Sequence, residues 1–202
     1  MPASKTHSIP KRDIRFDLSS VDFNNWHPAG PLISHYFNIQ SLLFPQGERF
    51  FIRSVRHFRD QITDPVLQEQ VAGFIAQEAM HGREHDNYNK CLAEIGYSVE
   101  TMNRLLARSF DFTERFMSPT YKLAMTVALE HVTSIGAEST LSDNRIFDGA
   151  HPEMARLWRW HAMEETEHKA VAFDVYREVA GKGFMAWLQR CSALLMVSLS
   201  MQ

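Results

Sequence analysis

Cysteine is nearly missing: Cys91 and Cys191 are the only two among 202 residues. A disulfide framework is thereby excluded, and a reducing, cytoplasmic setting is expected. Neither sign of charge is in excess. The 21 Lys and Arg stand against 24 Asp and Glu, for a formal net charge of -3, so no basic field points to nucleic acid as a partner. Long apolar runs are lacking too. The greasiest stretch, 184–201, is interrupted by Gln189 and Arg190, and what remains falls far short of the roughly 20 residues that cross a bilayer. It reads as a helix buried in the core or against a partner rather than as a membrane contact, and a small oligomer, a homodimer, is expected. The chain stops inside this segment without a capping or breaking residue, as a truncated chain would. Residues 1–13 are polar and hold two prolines, so no secretory signal is expected there. Strand-type alternation is scarce, and no fixed-period repeat or low-complexity tract occurs.

What is present is an ordinary globular composition, 45% hydrophobic and 22% charged, with ten histidines. Residues 1–35 carry Pro2, Pro10, Pro28, Gly30 and Pro31 and read as an extended lead-in. Residues 36–202 read as one helical domain. Segments near 40–62, 65–95, 98–116, 119–143, 152–180 and 183–202 show a 3.6-residue rhythm. Pro65, Pro119 and Pro152 each open a segment, where the missing proline N–H costs nothing. Several long segments with short connections predict an all-α antiparallel bundle.

The stripes that such helices should bury are apolar at their ends and ionisable in the middle. Steps of three and four pick out Leu67, Val71, Phe74, Glu78, His81, His85, Tyr88 and Leu92. The segment after Pro152 gives Met154, Trp158, His161, Glu165, His168, Ala172 and Val175. Two other segments carry one carboxylate each, Glu48 among Phe44, Phe51 and Val55, and Glu130 among Leu123, Val127 and Ala137. An unpaired carboxylate in a dry core costs several kcal/mol, and four together repel one another. Two divalent cations would supply four compensating charges, with imidazoles completing the coordination. Glu and His at i and i+3 share a helix face, so both reach one centre. The pattern Glu-x-x-His alone is weak: 14 Glu and 10 His give about 0.7 chance matches. Its placement on core stripes carries the weight.

One Glu, then Glu78-Ala79-Met80-His81, then one Glu, then Glu165-Thr166-Glu167-His168, on four successive helices, resembles the ferritin-like di-metal carboxylate proteins. The runs Phe50–Val55, Gln77–His85 and Glu167–Tyr176 are similar to a bacterial family named predicted metal-dependent hydrolases, over roughly residue 30 to the end; its members continue with further C-terminal helix. His161, one turn before Glu165, matches an extra histidine ligand of di-iron arylamine N-oxygenases, and His85 is a rival candidate. The resemblance implies a ferritin-like four-helix bundle with additional helices. It also implies a metal site of Glu48, Glu78, His81, Glu130, Glu165, His168 and His161 holding two Fe ions, or Mn, or a mixed pair. Such a site implies an enzyme that activates dioxygen to oxidise a small organic substrate. The alternative, carried by the family name, is a hydrolase using a di-metal-bound water, with Glu84 or Glu164 as a spare base. Metal storage is a third reading, against which the apolar C-terminal segment argues. Elsewhere, Glu164 and Glu167 fall off the stripe and read as solvated or paired with Arg or Lys. His131 reads as packed beside the site, and Cys91 and Cys191 as buried small hydrophobes. Trp158, Trp160, Phe74, Phe44 and Phe51 read first as core.

Overall fold

The computed structural model describes residues 8–200, so the start of the expected lead-in and the end of the last expected segment lie outside the described residues. It is all-helical among those residues. The helices are α1 (Pro31–Arg56), α2 (Pro65–Glu94), α3 (Val99–Phe116), α4 (Pro119–Ser142), α5 (Pro152–His168), α6 (Val171–Ala180) and α7 (Phe184–Ser200), with short 3-10 turns at Arg59–Gln61 and Asn144–Phe147.

Proline opens α1, α2, α4 and α5. Two of these starts are also capped. Asp64 accepts from the N–H of Val66 at 2.9 Å, and Ser118 accepts from that of Tyr121 at 3.2 Å. The chain leaves α2 through Gly96 and α6 through Gly181, both with φ above +70° (+99° and +77°), where a side chain would be strained.

Two boundaries differ from expectation. The first helix begins at Pro31, not near residue 40, because Pro31 is itself an N-terminal helical proline. The segment expected at 152–180 is two helices, broken at Lys169 and Ala170. Neither glycine nor proline marks that break. It falls directly after His168, whose ring is held between carboxylates from α2 and α4.

Helices α1 and α2 pack antiparallel, and α4 packs against α5, α6 and α7. The apolar interior is in two parts. One gathers Phe50, Val55, Val71, Phe74, Leu123, Val175 and Tyr176; the other gathers Trp26, Phe37, Leu42, Tyr88, Leu92, Met154 and Trp158. A polar layer lies between them. The residues before α1 are no loose tail: Ile9, Leu18, Phe23 and Trp26 are buried. α7 buries Ala186, Ala193 and Val197 and leaves Phe184, Met185, Trp187, Leu195 and Leu199 exposed. No helix among the described residues is long and apolar enough to cross a membrane.

Gly73 is where the N-terminal segment meets α2. A Cβ there would lie 2.5 Å from the Ile9 carbonyl oxygen and 2.6 Å from the Ile9 Cβ. Backbone cannot give way as a side-chain tip can. Gly73→Ala should therefore destabilise the fold by about 1–3 kcal/mol, against its gain in helix propensity. Chemical denaturation measures this, and a more stable variant would contradict the packing.

Candidate metal centre

Four helices deliver the polar layer. Glu48 comes from α1, Glu78, His81 and His85 from α2, Glu130 from α4, and His161, Glu164, Glu165 and His168 from α5. All nine side chains are buried. Their ring nitrogens and carboxylate oxygens converge. His168 Nδ1 lies 3.2 Å from Glu130 Oε2, and its Nε2 lies 3.3 Å from Glu78 Oε1. Glu165 Oε1 lies 3.0 Å from His161 Nε2 and 3.7 Å from His81 Nδ1.

Many of these approaches are not hydrogen bonds. Among the described residues, thirteen buried side-chain N and O atoms have no hydrogen-bond partner, and nine belong to Glu48, Glu78, His81, Glu130, Glu165, His161 and His168. Native interiors seldom leave such atoms unpaired. Lone pairs from seven residues that face one another without bonding are what a cation between them would satisfy. The donor set fits divalent metal: hard carboxylate oxygens mixed with imidazole nitrogens. Ligand atoms of Glu78, His81, Glu165 and His168 come within 4.8 Å of one another, as do those of Glu48, His85 and His161, so two neighbouring groups could each hold an ion. Glu130 joins neither group by that measure; it adjoins the first through His168. The seven sequence-nominated residues are thus brought together. The two Glu-x-x-His pairs share one group rather than serving one ion each.

The outward hydrogen bonds fix ring tautomers. His81 Nε2 donates to Glu164 Oε2 at 3.1 Å, leaving Nδ1 bare toward the centre. Asn89 donates its amide N–H to the Ser41 carbonyl, so its oxygen accepts the Ser41 hydroxyl at 2.8 Å. The Ser41 oxygen, its proton spent, must accept from His85 Nδ1 at 2.9 Å. His85 Nε2 then accepts from His161 Nδ1 at 2.7 Å, and His161 Nε2 is left bare. Of the two rival histidines, His161 therefore has the free lone pair, and His85 is satisfied on both nitrogens. This is the arrangement of metal-binding imidazoles, each oriented through its far nitrogen. The rings of His81 and His161 stack at 4.2 Å.

Glu164 and Glu84, offered by the sequence as a spare base, are engaged by arginines, and of the two alternatives expected for Glu164 and Glu167 the structure has the pairing with Arg. Glu164 is fully buried, not solvated, and pairs with Arg12 at 3.0 Å; Glu167 pairs with Arg12 at 2.6 Å and accepts from Gln77 at 2.8 Å. Glu84 is buried against Arg83 at 2.6 Å, with Arg15 at 3.4 Å. Arg12 and Arg15 arrive from the N-terminal segment, partnerships that spacing on α5 and α2 cannot signal, whereas Arg83 adjoins Glu84 on α2 itself. Three other expectations are corrected. His131 is exposed rather than packed at the site, Cys191 is exposed, and Cys91 is half-buried. Phe44, Phe51 and Trp158 line a cavity of about 840 Å³ that reaches Glu48, His161 and Glu165.

Burial, then the charges of Glu165 and other neighbours, holds Glu48 well above the ordinary carboxylate range, and burial with Glu130 does the same to Glu78. Burial raises Glu130 to about 7. Glu165 goes the other way: burial pushes it up, but His161 and His168 outweigh that and bring it to about 2. Burial also depresses His81 and His85, whereas for His168 burial is outweighed by the charge and hydrogen bond of Glu130 together with the charges of Glu165 and Glu164, which raise it.

A family model described as "Predicted metal-dependent hydrolase" matches residues 10–202, and the chain belongs to that family. No curated protein and no solved structure matches the chain.

The carboxylate cluster makes stability depend on pH. Glu48, Glu78, Glu130 and His168 bind protons more tightly folded than unfolded, so their stabilising contribution disappears as pH rises through their folded-state values. His81 and His85, with lowered values, cost stability only as pH falls below their ordinary 6.5. Metal-free protein should therefore melt at progressively lower temperature from about pH 7 to 9, where the first four groups act in the same direction. A flat or rising melting temperature over that range would contradict the clustering.

Proposed function

We propose that the protein is a di-metal hydrolase whose two ions are held by Glu48, Glu78, His81, Glu130, Glu165, His161 and His168. The observation that supports this is the meeting of nine unpartnered, buried donor atoms from those residues in one layer. The ligand chemistry suits iron, manganese or zinc. Two such ions would lower the pKa of a water molecule toward neutrality and polarise the oxygen of an ester or amide.

The chain's own residues do the rest. Glu164, held by Arg12, keeps His81 turned with Nδ1 inward. The Asn89, Ser41 and His85 series keeps His161 turned with Nε2 inward. Phe44 and Trp158 pack around His85 and His161, with ring centroids 4.6–6.2 Å apart, and shield that side from bulk water. Glu84 and Glu164 are engaged by arginines and are poor choices for a free base. Glu48 is better placed: it borders the cavity with both oxygens unpartnered, and can hold a proton at whichever oxygen is not engaged.

A dioxygen-activating enzyme would use the same ligand set, and the apolar cavity wall is the feature that favours it. The family's description favours hydrolysis, and hydrolysis is the reading proposed. Protein loaded with Zn or Mn should cleave activated acyl esters equally fast with and without oxygen. Dioxygen uptake by the reduced iron form, with no oxygen-independent turnover, would overturn that reading.

Two substitutions test the ligand assignment. Glu78→Gln should weaken metal binding at least tenfold. It should also leave the metal-free protein at pH 8 more stable by about 1 kcal/mol, a rise of roughly 2–4 °C, because a repelling charge is gone. At Gly82, a Cβ would stand 3.0 Å from Glu48 Oε2. Gly82→Ala should thus displace that carboxylate and weaken one of two ions about tenfold, with no loss of helix stability. Calorimetric titration with Mn reads both, and unchanged stoichiometry and affinity would remove Glu78 and Glu48 from the site.

A further inference from the structure

The cavity beside the centre has a wall chemistry that restricts what can enter. Its rim carries Tyr36, Phe112 and Met196, which are 55%, 58% and 39% exposed, and its inner end is formed by the buried Glu48, His161 and Glu165. Between them the wall is mostly Phe, Leu, Val, Met and Ala, with Gln40 and a few Ser and Thr hydroxyls; among the described residues no lysine or arginine lines it. At about 840 Å³ it lies toward the upper end of small-molecule sites. An anion entering this space would meet no cation on the wall and two carboxylates at the end. Two divalent ions would not alter that balance, since four glutamates already match their charge.

We infer that this cavity binds a neutral, mainly hydrocarbon molecule with its carbonyl at the inner end, where ions held by Glu48, His161 and Glu165 would polarise it, so that the substrates are long-chain or bulky apolar acyl esters or amides rather than phosphoesters. The choice of substrate rests on the hydrolase reading above; the binding of the apolar chain does not. Water adds across the acyl bond: a carbon–OH bond forms, the bond to the leaving oxygen or nitrogen breaks, and the leaving atom takes the proton. No further reactant is needed. Hydroxyls such as Thr113, Thr133 and Thr140 are spaced along the wall and can accommodate a polar substituent without requiring a charge.

The test is calorimetric, on the full chain in both its metal-free and its Zn-loaded form. Straight-chain methyl ketones of increasing length serve as uncleavable neutral probes, and alkyl phosphates of matched length as charged ones. Ketone affinity should rise about fourfold per methylene until the cavity is full, and each phosphate should bind at least tenfold more weakly than its ketone. Gly136 lines the cavity with no atom within 4 Å of where its Cβ would be. Gly136→Trp should therefore enter the space and cut the affinity of the longest ketone at least tenfold, with metal content and melting temperature kept. Affinity independent of chain length, or phosphates binding as tightly as ketones, would overturn the inference whether or not the variant folds. Ketones that bind as expected to a protein with no esterase turnover would instead count against the hydrolase reading alone.

Discussion

Mutual repulsion among buried carboxylates is the constraint around which this fold is arranged. Glu48, Glu78, Glu130 and Glu165 stand buried in one layer, and such charges are tolerable only if protonated, paired or bound to cations. The side chains around the layer supply part of the answer. His168 lies between Glu78 and Glu130, and His161 lies against Glu165. The protein pairs what it can and leaves nine atoms unmatched. That imbalance is expensive for a structural ion-pair network and natural for a site whose counter-charges come from outside.

Two apolar clusters hold the layer in place. Phe74 touches His168 edge-on from one side, at 5.0 Å between ring centroids, and Phe44 packs on His161 at 4.6 Å from the other. The stabilisation of the fold thus resides at the two ends of the bundle, while the middle is given over to chemistry. The stripes of α2 and α5 carry the same division along their length: oily, then ionisable, then oily again.

Much of this was legible in the sequence because the relevant signals are local. Proline at the first helical position marked three of the four long-helix starts that carry it, and steps of three and four along α2 and α5 named the inward faces. The start of α1 was misplaced because Pro28, Gly30 and Pro31 resemble loop punctuation as much as a helix opening. The break after His168 has no breaking residue to announce it. Glu164 stands one position from Glu165 and so about 100° away around the helix. It is nonetheless buried, because residues 9–15 lie over that face and bring Arg12 to it across 152 positions of sequence. Periodicity describes a helix by itself and says nothing about which distant segment will cover its other sides.

The same limit explains why His85 and His161 were indistinguishable by spacing. Each lies one turn from a Glu-x-x-His residue, on the inward stripe of a long helix. What separates them is a hydrogen-bond series that begins with the Asn89 amide, donating to a backbone carbonyl and so forced to present its oxygen to Ser41. Each group in turn has only one role left. Ser41 has given its proton away, His85 must therefore donate from Nδ1, and its other nitrogen must accept from His161. The bare nitrogen emerges at His161 Nε2, facing Glu165. A side-chain amide on the far side of His85 thereby decides which imidazole offers its lone pair to the centre.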